Sequence, residues 1–198
     1  MALFSLRPTL TALACATLAS LASAGDLYVL GAIGTSRYQG SGQEDSDAIL
    51  SSAGLTGINS SMSTSGTGLK VMLGYELNPN FAVEGGYVDM GSFGYNANFN
   101  GGSMNVDYKG SGLNVSGLGL FALNGEVSVF GKAGLTLSNV KGTGSSGGTS
   151  VSTSEDKTSL GFGLGGIYNL TSKVGLRLEW EKLFSDVSLF SLGLQAKF

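Results

Sequence analysis

From about residue 26 to the end of the chain, apolar residues recur at every second position in segment after segment, with small or polar residues between them. The last run is the cleanest: Phe190, Leu192, Leu194, Ala196 and Phe198 share one face, and Leu189, Ser191, Gly193, Gln195 and Lys197 share the other. A period of two puts the two sets on opposite sides of one extended strand. The stretch Ser188 to Phe198 also has the length, roughly 9–11 residues, that a tilted strand needs to cross a bilayer. The same alternation predicts eight strands, over approximately 26–37, 67–77, 81–91, 107–122, 126–138, 158–169, 174–184 and 188–198.

The connections between these strands alternate in character. Asn78-Pro79-Asn80, Asn124-Gly125 and Thr171-Ser172-Lys173 are short, and Asn-Gly signals a type I′ hairpin, whose central residues both take positive φ. The segments 38–66, 92–106 and 139–157 are long, polar and rich in Gly and Ser, and only 185–187 is short on that side. With both termini at the tight-turn end, all four loops fall at the other, the asymmetry of a membrane barrel with short periplasmic turns and long external loops. Within 139–157, the run Gly142 to Gly148 reads as disordered by composition.

Which face meets lipid is decided by side-chain size. Leu27, Val29, Ile33, Leu69, Val71, Leu73, Val83, Leu113, Val115, Leu135, Leu137, Phe162, Leu164, Leu176 and Leu178 lie on one face; Gly34, Ser36, Gly74, Glu84, Gly86, Asn114, Ser116, Lys132, Gly134, Gly163, Gly165, Arg177, Glu179 and Gly193 lie on the other. The interior of an eight-stranded barrel is just wide enough to be filled by side chains. Small residues with a few charges are therefore expected inside, and bulky apolar residues outside. Aromatics sort by depth: Tyr75, Phe81, Phe121, Tyr168 and Phe198 lie near the tight turns, and Tyr87, Trp180 and Phe190 near the loops, as two interfacial girdles would. An open sheet edge is not tolerated in hydrocarbon, so the strands must close. The fold expected is all-β, an eight-stranded antiparallel up-and-down transmembrane β-barrel. It needs no partner to cover an edge, so a monomer is expected. Glu84, Arg177, Lys132 and Glu179 are then confined to a narrow lumen, where ions are stable only when paired. A charge network centred on Glu84 and Arg177 is expected there; the alternative is the same charges solvated by lumen water.

Composition adds where the barrel resides. Arg7 followed by an apolar stretch to Leu21, then Ala22-Ser23-Ala24, reads as an export leader over residues 1–24. A lipoprotein reading through Cys15 is disfavoured, because Leu13 stands in the wrong place. Cys15 is the only cysteine, so the exported chain has no disulfide. The chain holds 33 Gly, 2 Pro and 13% charged residues, unusual for a soluble enzyme. Its net charge of −3 gives nucleic acid no basic face.

The chemistry expected is binding, with no enzymatic activity and no cofactor. There is no histidine, which removes the usual general base for a serine nucleophile and, with cysteine confined to the leader, the usual zinc or haem ligands. Glu179 and Glu181 share a face, but a filled lumen offers a glycoside no cleft. Gly161 to Gly166 contains a dinucleotide-type glycine spacing without the strand-then-helix context it requires, and Gly125 to Lys132 misses the phosphate-loop spacing. The acidic group Glu44, Asp45 and Asp47 lacks the regular ligand spacing of a calcium loop, and a solvated loop is the simpler reading.

The stretch Leu73 to Gly91, with its Asn78-Pro79-Asn80 turn, Glu84 and Gly86-Tyr87, resembles the second hairpin of the OmpA-like outer-membrane β-barrel family. Leu27-Tyr28-Val29 with Gly34 and Ser36, and Arg177-Leu178-Glu179-Trp180, resemble its first and seventh strands. The resemblance implies a barrel-only member, to which peptidoglycan anchoring is not carried over. It also implies a lumen gate in which Glu84 and Arg177 take part, while Leu118 and Ile167 occupy positions charged in the family, so a largely closed barrel is expected. The expected role is structural or surface-facing in the bacterial outer membrane, with lipid and lipopolysaccharide as partners and host surface or phage ligands on the loops. The barrel-assembly machinery would engage the C-terminal strand through Phe190, Leu192, Leu194, Ala196 and Phe198. The alternatives are a narrow channel for ions or small solutes and a soluble ligand-binding barrel.

Overall fold

The computed structural model describes residues 26–184 and 186–198; the expected leader lies outside them. The elements are β1 (Leu27–Tyr38), α1 (Gly42–Ser52), β2 (Asn59–Met62), β3 (Ser65–Asn78), β4 (Phe81–Phe99), β5 (Gly102–Ala122), β6 (Val127–Ser146), β7 (Thr149–Asn169), β8 (Val174–Lys182) and β9 (Val187–Lys197). Every pairing is antiparallel. Strands β1 and β3 to β9 form a closed ring of eight, sealed by β1 against β9 from Tyr28↔Lys197 to Tyr38↔Val187. This is the up-and-down barrel that the alternation predicts. The remaining strand, β2, stands outside the ring on the far end of β4.

The three tight turns share one device. Asn78 Oδ1 accepts the amides of Asn80 and Phe81 at 2.9 and 3.0 Å, and Asn124 Oδ1 accepts those of Glu126 and Val127 at 2.9 and 2.8 Å. Thr171 Oγ1 does the same for Lys173 and Val174 at 3.2 and 3.0 Å. A short polar side chain thus replaces a backbone carbonyl in satisfying the turn. The type I′ expectation at Asn124-Gly125 is corrected, since Gly125 is not among the glycines with positive φ. That turn is Asn124's side chain at work.

The segments 92–106 and 139–157, expected as loops, are mostly strand. β4 and β5 stay paired from Ser92↔Lys109 to Phe99↔Gly102, and β6 and β7 from Asn139↔Asp156 to Ser146↔Thr149. The run 142–148 is a hairpin end, not disorder: Gly147 and Gly148 take φ of 57° and 82°, the positive pair a two-residue turn demands. A bulge at Met90-Gly91 hides the continuity of β4, because the register shifts between Asp89 and Ser92. Even-numbered residues point inward before it (Ala82, Glu84, Val88, Met90) and odd-numbered ones after it (Phe93, Tyr95, Ala97). Gly91 has φ of 74°, and a Cβ there would lie 2.4 Å from the Thr67 carbonyl oxygen, so only glycine fits. The segment 38–66 also folds, into α1 and β2, and the connection expected over 185–187 is shifted and one residue longer, because β8 already ends at Lys182 and β9 starts at Val187.

One side of the barrel therefore rises as a wall built from β2 and the far halves of β4 to β7. Helix α1 packs on the wall's inner face, where Leu50, Tyr95 and Ala97 are buried with Leu55, Ile58, Met62, Met104, Val106 and Tyr108 around them. Around the ring, Ile33, Val71, Leu113, Val115, Leu135, Leu164, Leu178, Leu192 and Leu194 are exposed on the outer face. Gly31, Gly117, Gly119 and Gly131 also face outward, with open space beside them.

The interior corrects a second expectation, that bulky apolar residues stay outside. One apolar cluster, Tyr28, Ala82, Leu118, Phe130 and Ile167, fills the lumen toward the turn end. Another runs from Leu30, Met72 and Val88 to Met90, Leu183 and Leu189 at the wall end. Glycines make this room. A Cβ on Gly74 would strike the Tyr28 ring at 2.1 Å, and one on Gly165 the Phe130 ring at 2.5 Å. The inward glycines therefore fit large neighbours, not an empty bore.

Candidate functional site

Between the two apolar clusters lie six charged side chains, all buried: Lys70, Glu84, Lys132, Arg177, Glu179 and Glu181. They come from β3, β4, β6 and β8, and each points inward because strand parity leaves it no other direction. Three carboxylates face three cations, so the cluster is neutral as a whole.

Arg177 is its hub. Its guanidinium forks onto the Glu84 carboxylate, with Nη2 3.3 Å from Oε2 and Nη1 on Oε1, and its Nε donates to Glu179 Oε2 at 3.0 Å. Its plane sits over the Phe130 ring, 4.2 Å from the centroid, a cation–π contact strengthened by exclusion of water. Tyr28 donates to Glu84 Oε1 at 2.7 Å, which is possible because Gly74 leaves the ring its space. Lys70 Nζ bridges Glu179 Oε2 at 2.8 Å and Glu181 Oε1 at 2.7 Å. Lys132 Nζ bridges the other oxygens of the same pair, 2.8 Å from Glu179 Oε1 and 2.7 Å from Glu181 Oε2, with Glu84 Oε2 at 3.9 Å.

The barrel thus brings Glu84, Arg177, Lys132 and Glu179 into one connected group. Lys70 is the member that sequence reasoning missed. Its parity, between outward Leu69 and Val71, already directs it inward, but a single lysine in an apolar strand carries no sign of its partners. Glu181, which shares a face with Glu179, also joins the network through Lys70 and Lys132. Leu118 and Ile167 face the lumen in the turn-end apolar cluster, so the charges that balance Glu179 and Glu181 come from Lys70 and Lys132 instead.

Of the outward aromatics, Phe81, Phe121 and Tyr168 are exposed near the turn end, as is Phe198, whose amide donates to the Leu27 carbonyl oxygen at 2.9 Å; Tyr87 and Phe190 are exposed near the wall end. Tyr75 is half-buried, and Trp180, also half-buried, meets Phe162 edge-on with centroids 6.0 Å apart. Leu192 and Leu194 of the C-terminal strand are exposed and Ala196 is half-buried.

A second polar group lies in the wall. Tyr95 donates to Asp47 Oδ1, Ser60 donates to Asp47 Oδ2 at 2.7 Å, and Gln43 Nε2 donates to the Ser60 carbonyl at 3.2 Å. Burial pushes the Tyr95 hydroxyl up to about 12, with the Asp47 hydrogen bond the second cause. Asp47 is thereby committed to α1 docking, and Asp45 accepts from Ser41 at 2.7 Å. Among the described residues no group of three or more potential ligands gathers for a metal ion.

A closed ring of eight strands, apolar outside and ionic within, defines a transmembrane β-barrel. The chain belongs to the outer membrane protein β-barrel domain family, whose model matches residues 9–198, and it is of the OmpA-like kind. It is an integral protein of the bacterial outer membrane. No curated protein gives a sequence match. Among solved structures, Ail of Yersinia pestis, in complex with the heparin analogue sucrose octasulfate, is 20% identical over 88% of this chain and 99% of its own, with a TM-score of 0.54. OprG of Pseudomonas aeruginosa is 14% identical over 88% and 96%, TM-score 0.54. The N-terminal barrel of Pseudomonas aeruginosa OprF is 14% identical over 88% and 99%, TM-score 0.51.

Proposed function

We propose that the chain is a structural and surface-presenting barrel, closed to solutes and without enzymatic activity, that holds its raised wall on the cell exterior. The observation that carries this reading is the interior: a neutral cluster of six charges with apolar clusters on both sides of it. Ions entering such a lumen would have to displace paired charges, and the apolar ends add a desolvation barrier. In this reading Glu84, Arg177, Lys132 and Glu179, with Lys70 and Glu181, lock opposite walls together. The exposed aromatics anchor the barrel at both interfaces. The strand ending at Phe198 is the handle for the assembly machinery, and the wall meets lipopolysaccharide, host or phage ligands.

Recording from planar bilayers, combined with protease added to intact cells, tests the reading. The expected result is no discrete openings, with cleavage confined to 53–58, 100–101 and 147–148. Steady openings that change on substituting Glu84 or Arg177 would establish the channel reading instead. Cleavage at Pro79, Gly125 or Ser172 would reverse the orientation.

A further inference from the structure

On the outer surface, away from the raised wall, two cations flank a hydroxyl across three adjacent strands. Arg37 of β1 is the cross-strand partner of Ser188 of β9, and Ser188 is also the partner of Lys182 of β8. All three project outward by parity with Ile33, Phe190 and Trp180. At the usual strand spacing of about 4.8 Å, the two cationic backbones stand roughly 10 Å apart with the serine between them. Ser188 forms the floor, 5% exposed. The depression, of about 410 Å³, is lined by Thr35, Arg37, Gln39, Trp180, Ser188 and Phe190.

Neither Arg37 nor Lys182 pairs with a carboxylate among the described residues. The acidic side chains of β8, Glu179 and Glu181, point the other way and are consumed in the lumen. Asp186 in the adjoining turn pairs with neither cation. In a chain of net charge −3, two cations left without counterions on one shelf mark a place for an anion. Directly beneath is an aromatic floor, where Phe190 is the cross-strand partner of both Thr35 and Trp180 and Phe162 abuts Trp180. Below that begins the apolar band of Ile33, Leu192 and Leu178.

We propose that this depression binds a phosphate of a phosphorylated glycolipid in the leaflet that meets the wall end. Arg37 and Lys182 neutralise the phosphate, Ser188, Thr35 and Gln39 offer hydroxyl and amide donors, and the acyl chains descend over Phe190 and Trp180. A soluble anion would use the cations but not the aromatic floor; a lipid headgroup anchored in the bilayer uses both. The inference rests on the surface reading, because it needs the wall end to face the glycolipid leaflet.

The test uses the purified protein in phosphatidylcholine nanodiscs doped with bisphosphorylated lipid A, with bound lipid A quantified by titration. The double variant Arg37→Gln, Lys182→Gln is expected to bind about thirtyfold more weakly than the wild type, from the loss of two basic residues at an anionic surface. Lipid A stripped of its phosphates should lose the same preference, and Lys173→Gln, at the turn end, should leave binding unchanged. Heat-modifiable gel migration verifies that each variant is folded. Equal lipid A binding by the double variant would overturn the proposal. So would Arg37- and Lys182-dependent capture of soluble sucrose octasulfate without capture of lipid A. Nanodisc binding does not depend on orientation in the cell, so reversed cleavage of intact cells would remove the surface reading, and with it the glycolipid as the occupant in the cell, whereas lost preference for lipid A in nanodiscs would overturn the phosphate site alone.

Discussion

Strands β4 to β7 run through two environments, and the same backbone ladder is stabilised in opposite ways in each. Within the barrel, Val83, Val115, Leu135 and Leu164 of these strands face out, and Glu84, Ser116 and Lys132 face in, between the apolar clusters of the lumen. Beyond Gly91 the order inverts: Tyr95, Ala97, Met104 and Val106 turn inward under α1, and Thr149 to Thr158 is exposed on both faces. Hydrocarbon forces the first arrangement, because apolar surface costs nothing there and ions must be enclosed. Water forces the second, because only burial under α1 removes apolar surface from solvent. The ladder hydrogen bonds are common to both, so the solvent chooses which side chains they carry.

The strongest way to break this contrast is to unbalance the lumen. Arg177→Met removes the fork on Glu84 and the bond to Glu179, leaving three carboxylates with two cations. Loss of one partner from a buried ionic group costs about 3–5 kcal/mol, so urea unfolding in lipid should move by that amount while the wall stays protease-resistant up to the transition. Adding Glu84→Gln to Arg177→Met should recover much of the loss, because the orphaned charge is then gone. Unchanged stability in the single variant would mean that lumen water already screens these charges.

The contrast also explains what could be read from the sequence. Where lipid demanded alternation, strand positions, the sense of the faces and the inward direction of Glu84, Lys132, Arg177 and Glu179 were all legible. The wall was not, because Ser, Thr and Gly exposed on both faces leave no period, and the Gly91 bulge switches parity at the point where the pattern would have been followed. The apolar lumen clusters were hidden for a different reason. Met72, Tyr28 and Phe130 sit inside only because Gly86, Gly74 and Gly165 give up volume on neighbouring strands, a pairing that register reveals and one strand does not. Lys70 was equally visible by parity, but its two glutamate partners are more than a hundred residues away, each with |i−j| above 100.

A narrower test separates wall from barrel at the junction. Gly91→Val forces a β-branched residue into a φ of 74° and drives Cβ toward the Thr67 carbonyl. The combined strain is about 2–3 kcal/mol, and its effect should stay local. Hydrogen exchange in 92–99 and 102–111 should accelerate, while heat-modifiable migration of the barrel persists. Loss of the folded barrel itself would show that wall and barrel form one cooperative unit and that the division drawn between them is only geometric.

The gentlest probe is pH, acting on the hydrogen bond that seats α1. Tyr95 titrates at 10.0 when unperturbed and is pushed up to about 12 in the folded wall, so the neutral phenol is the form the fold favours. Its contribution is therefore fully present below pH 10 and is lost as pH rises from about 10 through 12. Above that the tyrosinate faces Asp47 without a proton to donate, and α1 should lift from Tyr95 and Ala97. Proteolysis within 38–66, compared at pH 9 and pH 12, should show release at the higher value while the barrel remains intact. Tyr38 and Tyr108 lie close to the same core, so the variant Tyr95→Phe isolates the effect. It should cost about 1 kcal/mol at neutral pH for the lost hydrogen bond and then show little further change with alkali. A Tyr95→Phe wall that still opens as the pH rises would assign the transition to Tyr38, whose hydroxyl is also pushed up by burial. A wild-type wall that stays closed at pH 12 would show that the apolar contacts of Leu50, not the Asp47 bond, seat the helix.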